Sequence, residues 1–518
     1  LRRKKEMGMK KPVIQMLCFA LVAATAAGCS GGASSSSSSV ASSESSKASS
    51  DKGEPYTVVM GYIGDTYPDE TLIEEEINKI IEPELNAKLD LRAYSWGTYT
   101  QELQLTLSGD EKLDIVPIVV MNAQGYVSNG QVIDLKDLIE KYGTNIKKNM
   151  DSDFINCPNI GGFIYGVTSM REQITWEGIM MRADILTELG YKVENNMCPD
   201  ISSMADLEKV YEKVREKYPN MTMLASTANG TPLFRWEVAD FLTDGFGVLM
   251  DYGQSTKVVN LFETDEFKDF ANTMYSWNQK GYLSKDAATT TETVTNQVKA
   301  GVAFSYMTPL KAGAVEQDEL STGKDLAAAP LFGDPYITSY SINFFTWGIA
   351  RNSTNPEKTM QVLDYIYGSS DVMNLLNWGI EGKHYKFVDK DKGIITYPDG
   401  VSLDNKTWGL NIGWELPNQE IAYVWQGEDP SKWTLQHEYI AKAKRSKALG
   451  FSYDSTKVSN QLTALSNVKT EWYDAIGTGS VDPATAIQKF NDALYAAGLQ
   501  DVIDEKQAQL DEWLKTKQ

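Results

Sequence analysis

Five runs between Tyr56 and Val120 restrict the fold more than any other feature of this chain. Tyr56–Ile63 (YTVVMGYI) is a short, apolar-rich stretch ended by the turn residues Gly64, Asp65 and Pro68, and it reads as a buried strand. The next segment sets Leu72, Ile73, Ile77, Ile80 and Ile81 on one stripe at helical spacing, with Glu74, Glu75 and Glu76 toward water. Ala87–Tyr94 reads as a second strand, a helix follows over about Thr98–Leu107, and Leu113–Val120 is a third strand with no charge after Asp114. Strand, helix, strand, helix, strand at this spacing calls for a parallel sheet covered by helices on both faces. The expected class is α/β.

From Tyr56 onward the chain has about 460 residues, more than one hydrophobic core usually supports, so two lobes are expected. Later helices are clearly punctuated. Ser203, with Asp206 three residues on, opens a helix carrying Leu207, Val210, Tyr211, Val214 and Tyr218 on one face. Asn355–Pro356 is a helix start and Gly368 a stop. Val458, Leu462, Leu465, Val468, Trp472 and Ile476 form one stripe, and a further helix runs from Asp482–Pro483 to Gly498. The last third is therefore mostly helical. Ile164–Thr168 and Tyr340–Ala350 are candidate hinge crossings, since a hinge needs only a few residues that absorb backbone rotation. The competing reading of Gly166 is an ordinary turn.

The beginning of the chain reads as an export signal. Arg2, Arg3, Lys4, Lys5, Lys10 and Lys11 precede an apolar run from Pro12 to Ala27, shorter than the ~20 residues of a permanent span. It ends in AAGCSGG, where Cys29 resembles the lipidated cysteine of bacterial lipoproteins, with Ala26 standing where leucine is commoner. Twelve serines in the eighteen residues Ala33–Ser50 cannot bury enough surface to order themselves and read as a tether. These features predict a membrane-anchored protein on the extracellular side, held by lipid on Cys29.

Charge and chemistry exclude several functions. The chain carries −21 overall, and removing six basic residues and one acidic residue before Cys29 takes it to −26. Such a field opposes nucleic acid and anionic substrates and suits neutral or cationic ligands. With two histidines only, His384 and His437, a catalytic triad or a histidine-rich zinc centre is not expected. The chain has no HExxH, GxSxG or GxxxxGK[ST] pattern. The run DKDKG at Asp389–Gly393 resembles a calcium loop faintly, but its glycine comes one position early, so a solvated hairpin turn is expected. Neither a cofactor nor a metal is predicted. Cys157 and Cys198 remain in the mature chain, either paired or as two buried thiols.

Several tryptophans sit near predicted loops or chain breakers and not inside apolar stripes: Trp96 beside Gly97, Trp176 before Glu177–Gly178, Trp236, Trp347 before Gly348, Trp378 before Gly379 and Trp414 after Gly413. Flat apolar rings stack on the C–H faces of sugars while carboxylates and amides bond the hydroxyls. For each single ring, packing in the core is the competing reading. The expected ligand-binding set is Asp65, Trp96 and Tyr126 from loops of the first lobe; Trp176, Trp236 and Tyr306 from the second; and Trp347, Glu381 and Trp414 from later segments.

The segments DGFGVLMDYG from Asp244, VVNLFETDEF from Val258, KAGVAFSYM from Lys299, LLNWGIEGKHY from Leu375, TYPDGV from Thr396, NIGWELPNQEIAYVW from Asn411, SKALGFSYDS from Ser446 and SNVKTEWY from Ser466 resemble the extracellular solute-binding lipoproteins of carbohydrate-type ABC importers, more narrowly the LipO-type branch. The resemblance covers the chain after the serine run. It implies a periplasmic-binding-protein-like fold of two α/β lobes joined by hinge strands, with a helical C-terminal region. It also implies an oligosaccharide as ligand and ABC permease subunits as partners, and carries no ligand residues with it. The expected layout is signal 1–28, lipidated linker 29–55, lobe 1 from 56–166 plus about 337–395, and lobe 2 from 167–336 plus about 396–518, acting as a monomer without catalysis. A peptide- or amine-binding importer component, a surface glycoside hydrolase and a sensor subunit are the alternatives.

Overall fold

The computed structural model describes residues 53–228 and 230–517. The export signal, Cys29 and the serine-rich run lie outside the described residues.

The opening rhythm folds as its pattern requires. Strand β1 (Tyr56–Ile63), helix α1 (Glu70–Leu85), strand β2 (Ala87–Tyr94), helix α2 (Tyr99–Ser108) and strand β3 (Ile115–Val119) follow in order. β1 pairs in parallel with β2 from Tyr56 opposite Ala87 to Ile63 opposite Tyr94, and with β3 at Met60 opposite Ile115. α1 buries Ile73, Ile77 and Ile81. It stops at Asn86, whose left-handed backbone lets its amide return to the Glu82 carbonyl, a conformation asparagine tolerates better than most residues.

The sheet is mixed, where the opening pattern alone implied a parallel one. Phe345–Ile349 runs antiparallel to β3, and Val167–Thr168 runs antiparallel to Phe345–Ile349. A Cβ on Gly348 would lie 2.6 Å from the Ile118 side chain and 2.9 Å from the Tyr165 carbonyl, so only glycine admits this close approach.

A second sheet has the order Leu326–Pro330, Glu177–Arg182, Ala303–Pro309, Thr222–Leu224. The strand Glu177–Arg182 is antiparallel to both neighbours. The helices Met204–Lys217, Asp265–Gln279, Ser459–Gly477, Pro483–Ala496 and Leu499–Lys515 pack residues into its core. Two separate cores result. The first holds Met60, Ile77, Ile115, Phe345, Trp347 and Tyr367; the second holds Met181, Tyr211, Trp277, Phe304, Phe490 and Leu510. Each such side chain contributes about 1.5–3 kcal/mol by leaving water.

The chain passes between these cores three times, and the passages lie side by side. Thr175 bridges Tyr336 antiparallel, and Tyr336–Ile337 pairs in parallel with Lys444–Arg445. Neither expected hinge segment makes the passage itself. Val167–Thr168 is a strand of the first sheet. Tyr340–Ala350 splits into the helix Ser339–Asn343 and the strand Phe345–Ile349. Their apolar character comes from burial in the sheet and core, whereas the passages just outside them are shorter and more polar. Trp408, Leu410 and Leu416 also belong to the first core, and Ala448 and Phe451 to the second. The last passage therefore falls near residue 445 and not at the expected 396.

The punctuation is met locally. Ser203 accepts from the Asp206 amide, and Asn355 accepts from the Lys358 amide with Pro356 in the first turn. The DKDKG run is the turn of a hairpin between Lys386–Asp389 and Ile394–Thr396, where the Asp389 carboxylate accepts from the Lys392 amide at 3.2 Å. Cys157 and Cys198 are free and buried, one in each core.

Candidate functional site

Beside the first of these passages a cavity of about 650 Å³ opens. Its walls come from Arg171, Glu172, Ile174 and Thr175 on the first passage, Glu177 at the head of the second sheet's strand, Leu233, Phe234, Arg235 and Glu237, Thr308–Lys311, Phe344 and Trp414. Glu177 lines the cavity, and Gly178 beside it is pressed against the Ala329 carbonyl, which a Cβ would approach to 2.3 Å. A second hollow of about 330 Å³ shares Phe234, Arg235, Thr308 and Asp318 with it and continues toward Tyr306.

One wall is aromatic. Trp96 and Trp414 stack with centroids 5.7 Å apart and planes 28° off parallel, and Trp96 meets Tyr99 edge-on at 5.5 Å. Trp414 continues to Phe344 at 6.1 Å and Phe345 at 5.7 Å. Trp96 is 45% exposed and stands outside the cavity lining, against the Trp414 ring that belongs to it.

The other wall is charged and largely paired. The Arg171 guanidinium donates to the Glu172 carbonyl at 3.0 Å and the Ser341 carbonyl at 2.8 Å, and lies 5.2 Å from the Phe344 ring centroid. Its Nε has no partner among the described residues. Glu172 pairs with Lys311 at 3.2 Å. Burial alone would raise its acid, but the Lys311 ammonium holds it below the usual range. Glu177 is 6% exposed and approaches Arg235 at 3.5 Å. Its other oxygen is buried without a partner. Burial, then the charge of Glu237, pushes Glu177 well above the carboxylate range. Burial pushes Glu237 up to about 7, and it accepts from the Tyr336 hydroxyl at 3.4 Å. Among the described residues no group of His, Cys, Asp or Glu is placed to hold a metal ion.

The expected ligand-binding residues divide sharply. Trp414 lines the cavity and Trp96 stacks on it. Tyr306 lines the second hollow, with its hydroxyl donating to Asp318 at 2.6 Å. Trp176 flanks the cavity at the passage, where its indole N–H donates to the Gly333 carbonyl at 2.9 Å and its ring meets Tyr439 edge-on. Three residues turn inward instead. Trp347 is wholly buried and donates to the Glu415 carbonyl at 2.9 Å. Trp236 is buried against Phe267 and Phe270. Tyr126 is buried in a small cluster beside β3. A large ring beside a sheet gains most by entering the core, which explains all three. Asp65 is exposed on the loop after β1, and Glu381 pairs with Lys390 at 3.1 Å beside a separate, smaller hollow.

What the reading of the sequence missed is mainly the charged wall: Arg171, Glu172, Glu177, Arg235, Glu237 and Lys311. Part of the signal was in plain view. Trp176 and Trp236 each stand next to a cavity residue, Glu177 in one case and both Arg235 and Glu237 in the other. At Trp236 the buried ring closes the short helical turn Pro232–Arg235, and its polar neighbours Arg235 and Glu237 line the cavity.

The chain is similar to known proteins at two scales. A profile described as a domain of unknown function (DUF3502) matches residues 447–515. A carbohydrate ABC transporter substrate-binding protein of Streptococcus pneumoniae serotype 4 is 28% identical over 478 residues, covering 91% of this chain and 94% of that protein. Among solved structures, the N-glycan transport solute-binding protein NgtS of Streptococcus pneumoniae superposes with a TM-score of 0.78 at 25% identity, covering 89% of this chain and 100% of that one. The complex of NgtS with Man5GlcNAc gives 0.68 at 26% identity, covering 89% and 99%. An HMO-binding, ABC-transporter-associated solute-binding protein from Bifidobacterium longum infantis gives 0.63 at 15% identity, covering 89% and 100%, a likeness of fold alone.

Proposed function

We propose that this chain, which has the solute-binding-protein fold and relatives in carbohydrate ABC transport, captures a neutral oligosaccharide outside the cell and delivers it to an ABC permease. The observation that carries this reading is the cavity's pairing of an aromatic shelf, Trp96 on Trp414, with a charged wall whose signs nearly balance. Arg171, Arg235, Lys311 and Lys469 stand against Glu172, Glu177, Glu237, Asp244 and Asp318. Paired charges fix hydrogen-bond donors and acceptors without selecting a charged ligand, and hydroxyls need both. NgtS, solved with Man1GlcNAc and Man5GlcNAc, supports a glycan as the ligand class.

Binding proceeds by closure. The ligand settles on the Trp96–Trp414 shelf, and the second sheet's wall, with Glu177, Arg235 and Glu237, closes on its other side. Only a ligand touching both walls shifts that equilibrium. The three short passages at Thr175, Tyr336 and Lys444 are the hinge. The cavity supplies binding and no bond cleavage. Lipid on Cys29 keeps the protein at the outer face of the cell membrane, within reach of the permease.

Thermal unfolding against a panel of oligosaccharides, Man5GlcNAc included, tests the reading. A ligand at a hundred times its Kd adds about 2.7 kcal/mol to the folded state, so the midpoint rises for one glycan series. Chromogenic glycosides stay intact. A shift from peptides or polyamines with silence from every sugar would overturn the ligand class, and released chromophore would overturn the absence of catalysis.

A further inference from the structure

The segment 447–515 matches a profile without an assigned function, and it builds part of the cavity. The helix Ser459–Gly477 sets Lys469 and Tyr473, one turn apart, into the wall. The Tyr473 hydroxyl donates to the Leu233 carbonyl at 3.2 Å, tying that helix to the segment that carries Arg235 and Glu237. The Lys469 ammonium lies 4.5 Å from the Tyr473 ring centroid and 5.9 Å from that of Phe246. It forms no ion pair among the described residues. The nearby Asp244 carboxylate is bonded instead to Lys506 of the last helix, at 2.5 Å. Lys469 is thus a cation in the cavity wall with hydrogen-bonding capacity to spare, a state that burial makes costly unless an acceptor arrives.

We propose that the C-terminal segment is a specificity wall of the binding cavity, in which Lys469 donates to neutral oxygen acceptors of the glycan, hydroxyl or acetamido carbonyl, while Tyr473 packs against a sugar face. This inference rests on the oligosaccharide reading above. It assigns a role to a region that the domain profile leaves without one. It also explains why the three C-terminal helices pack into the second core while one of them reaches the ligand.

An array of mannose-, N-acetylglucosamine-, galactose-, glucose- and fructose-containing oligosaccharides, with calorimetric titration of the strongest binder, tests it. Lys469→Met removes the donor and keeps the length of the side chain. The expected loss is about tenfold in affinity, the value of a charge-assisted hydrogen bond, with a changed ranking across the array. Tyr473→Ala should lower affinity as well, while Tyr473→Phe, which keeps the ring, retains the wild-type ranking. If Tyr473→Ala fails to fold, the comparison of Lys469→Met with the wild type decides the matter. Wild-type affinity and ranking in Lys469→Met would overturn the inference while leaving the oligosaccharide reading intact. A wild-type protein silent toward the whole array would overturn that reading and this inference together.

Discussion

Lys506 and Asp244 join the last helix to the cavity wall through an ion pair of 2.5 Å, with the lysine side chain wholly buried. The same ammonium donates to the carbonyls of Phe246 at 2.9 Å and Gly247 at 3.2 Å, and lies 5.0 Å from the Tyr453 ring centroid. A buried lysine with three acceptors is satisfied only while the loop 244–247 keeps its shape. Lys506→Met removes the charge and strands one carboxylate and two carbonyls. Breaking a buried pair from one side costs about 3–5 kcal/mol. Urea unfolding should show that loss in midpoint with an unchanged slope. A loss under about 1 kcal/mol would mean that water replaces the ammonium.

The two thiols give a second check on the fold. Cys157 is pushed up to about 12 by burial, and Cys198 is raised for the same reason. The thiolate is the reactive form, so both should resist labelling in the native state. In a chain beginning at Asp51, a disulfide-exchange reagent should detect neither thiol at first and both after denaturation. A count of zero under denaturant would show the two joined, which their placement in separate cores opposes.

The fold was legible wherever burial is one-sided and periodic. β1 and β2 were placed to the residue, and α1 by its isoleucine stripe. The return of Phe345–Ile349 as an antiparallel strand was not legible. An apolar strand buried on both faces carries no direction, and its position depends on the close approach at Gly348. The cavity was legible only by half. Trp414 announced itself beside Gly413. Glu177, Arg235 and Glu237 did not, since ionisable residues are common throughout this acidic chain and only the fold turns these three inward. The rings of Trp236 and Trp347 misled for the opposite reason: a tryptophan near a loop or a breaker has as much to gain from the core as from a cavity.

Glu177 and Glu237 predict a pH signature. Both acids are raised, Glu237 to about 7 from an ordinary 4.5 and Glu177 well above that same ordinary value, in each case first by burial. Between about pH 4.5 and 7 the folded state holds protons that the unfolded chain has released. Stability from Glu237 is therefore full below about pH 4.5 and lost as pH rises through 7, and that from Glu177 falls in the same direction as pH rises. Glu237→Gln mimics the protonated form, and its thermal midpoint should fall less than that of the wild type over this range. Parallel profiles for the two proteins would place the titration elsewhere.

Trp347 and Trp96 predict opposite outcomes for one kind of substitution. Trp347→Ala opens a hole in the first core, where the ring is wholly buried against Phe345, and should cost about 3–5 kcal/mol of stability. Trp96 is 45% exposed, stacked on Trp414 and edge-on to Tyr99. Its replacement by alanine loses those two ring contacts and should cost about 1–2 kcal/mol of stability, well short of the loss at Trp347. The shelf, however, loses its outer ring. An aromatic stacking contact is worth about 0.5–1.5 kcal/mol beyond the area it buries, so glycan affinity should fall by roughly tenfold. Denaturant unfolding and calorimetric titration on the two variants separate these effects. A Trp96→Ala protein that folds normally and binds its glycan as tightly as the wild type would remove the shelf from the binding site, leaving the charged wall to carry recognition.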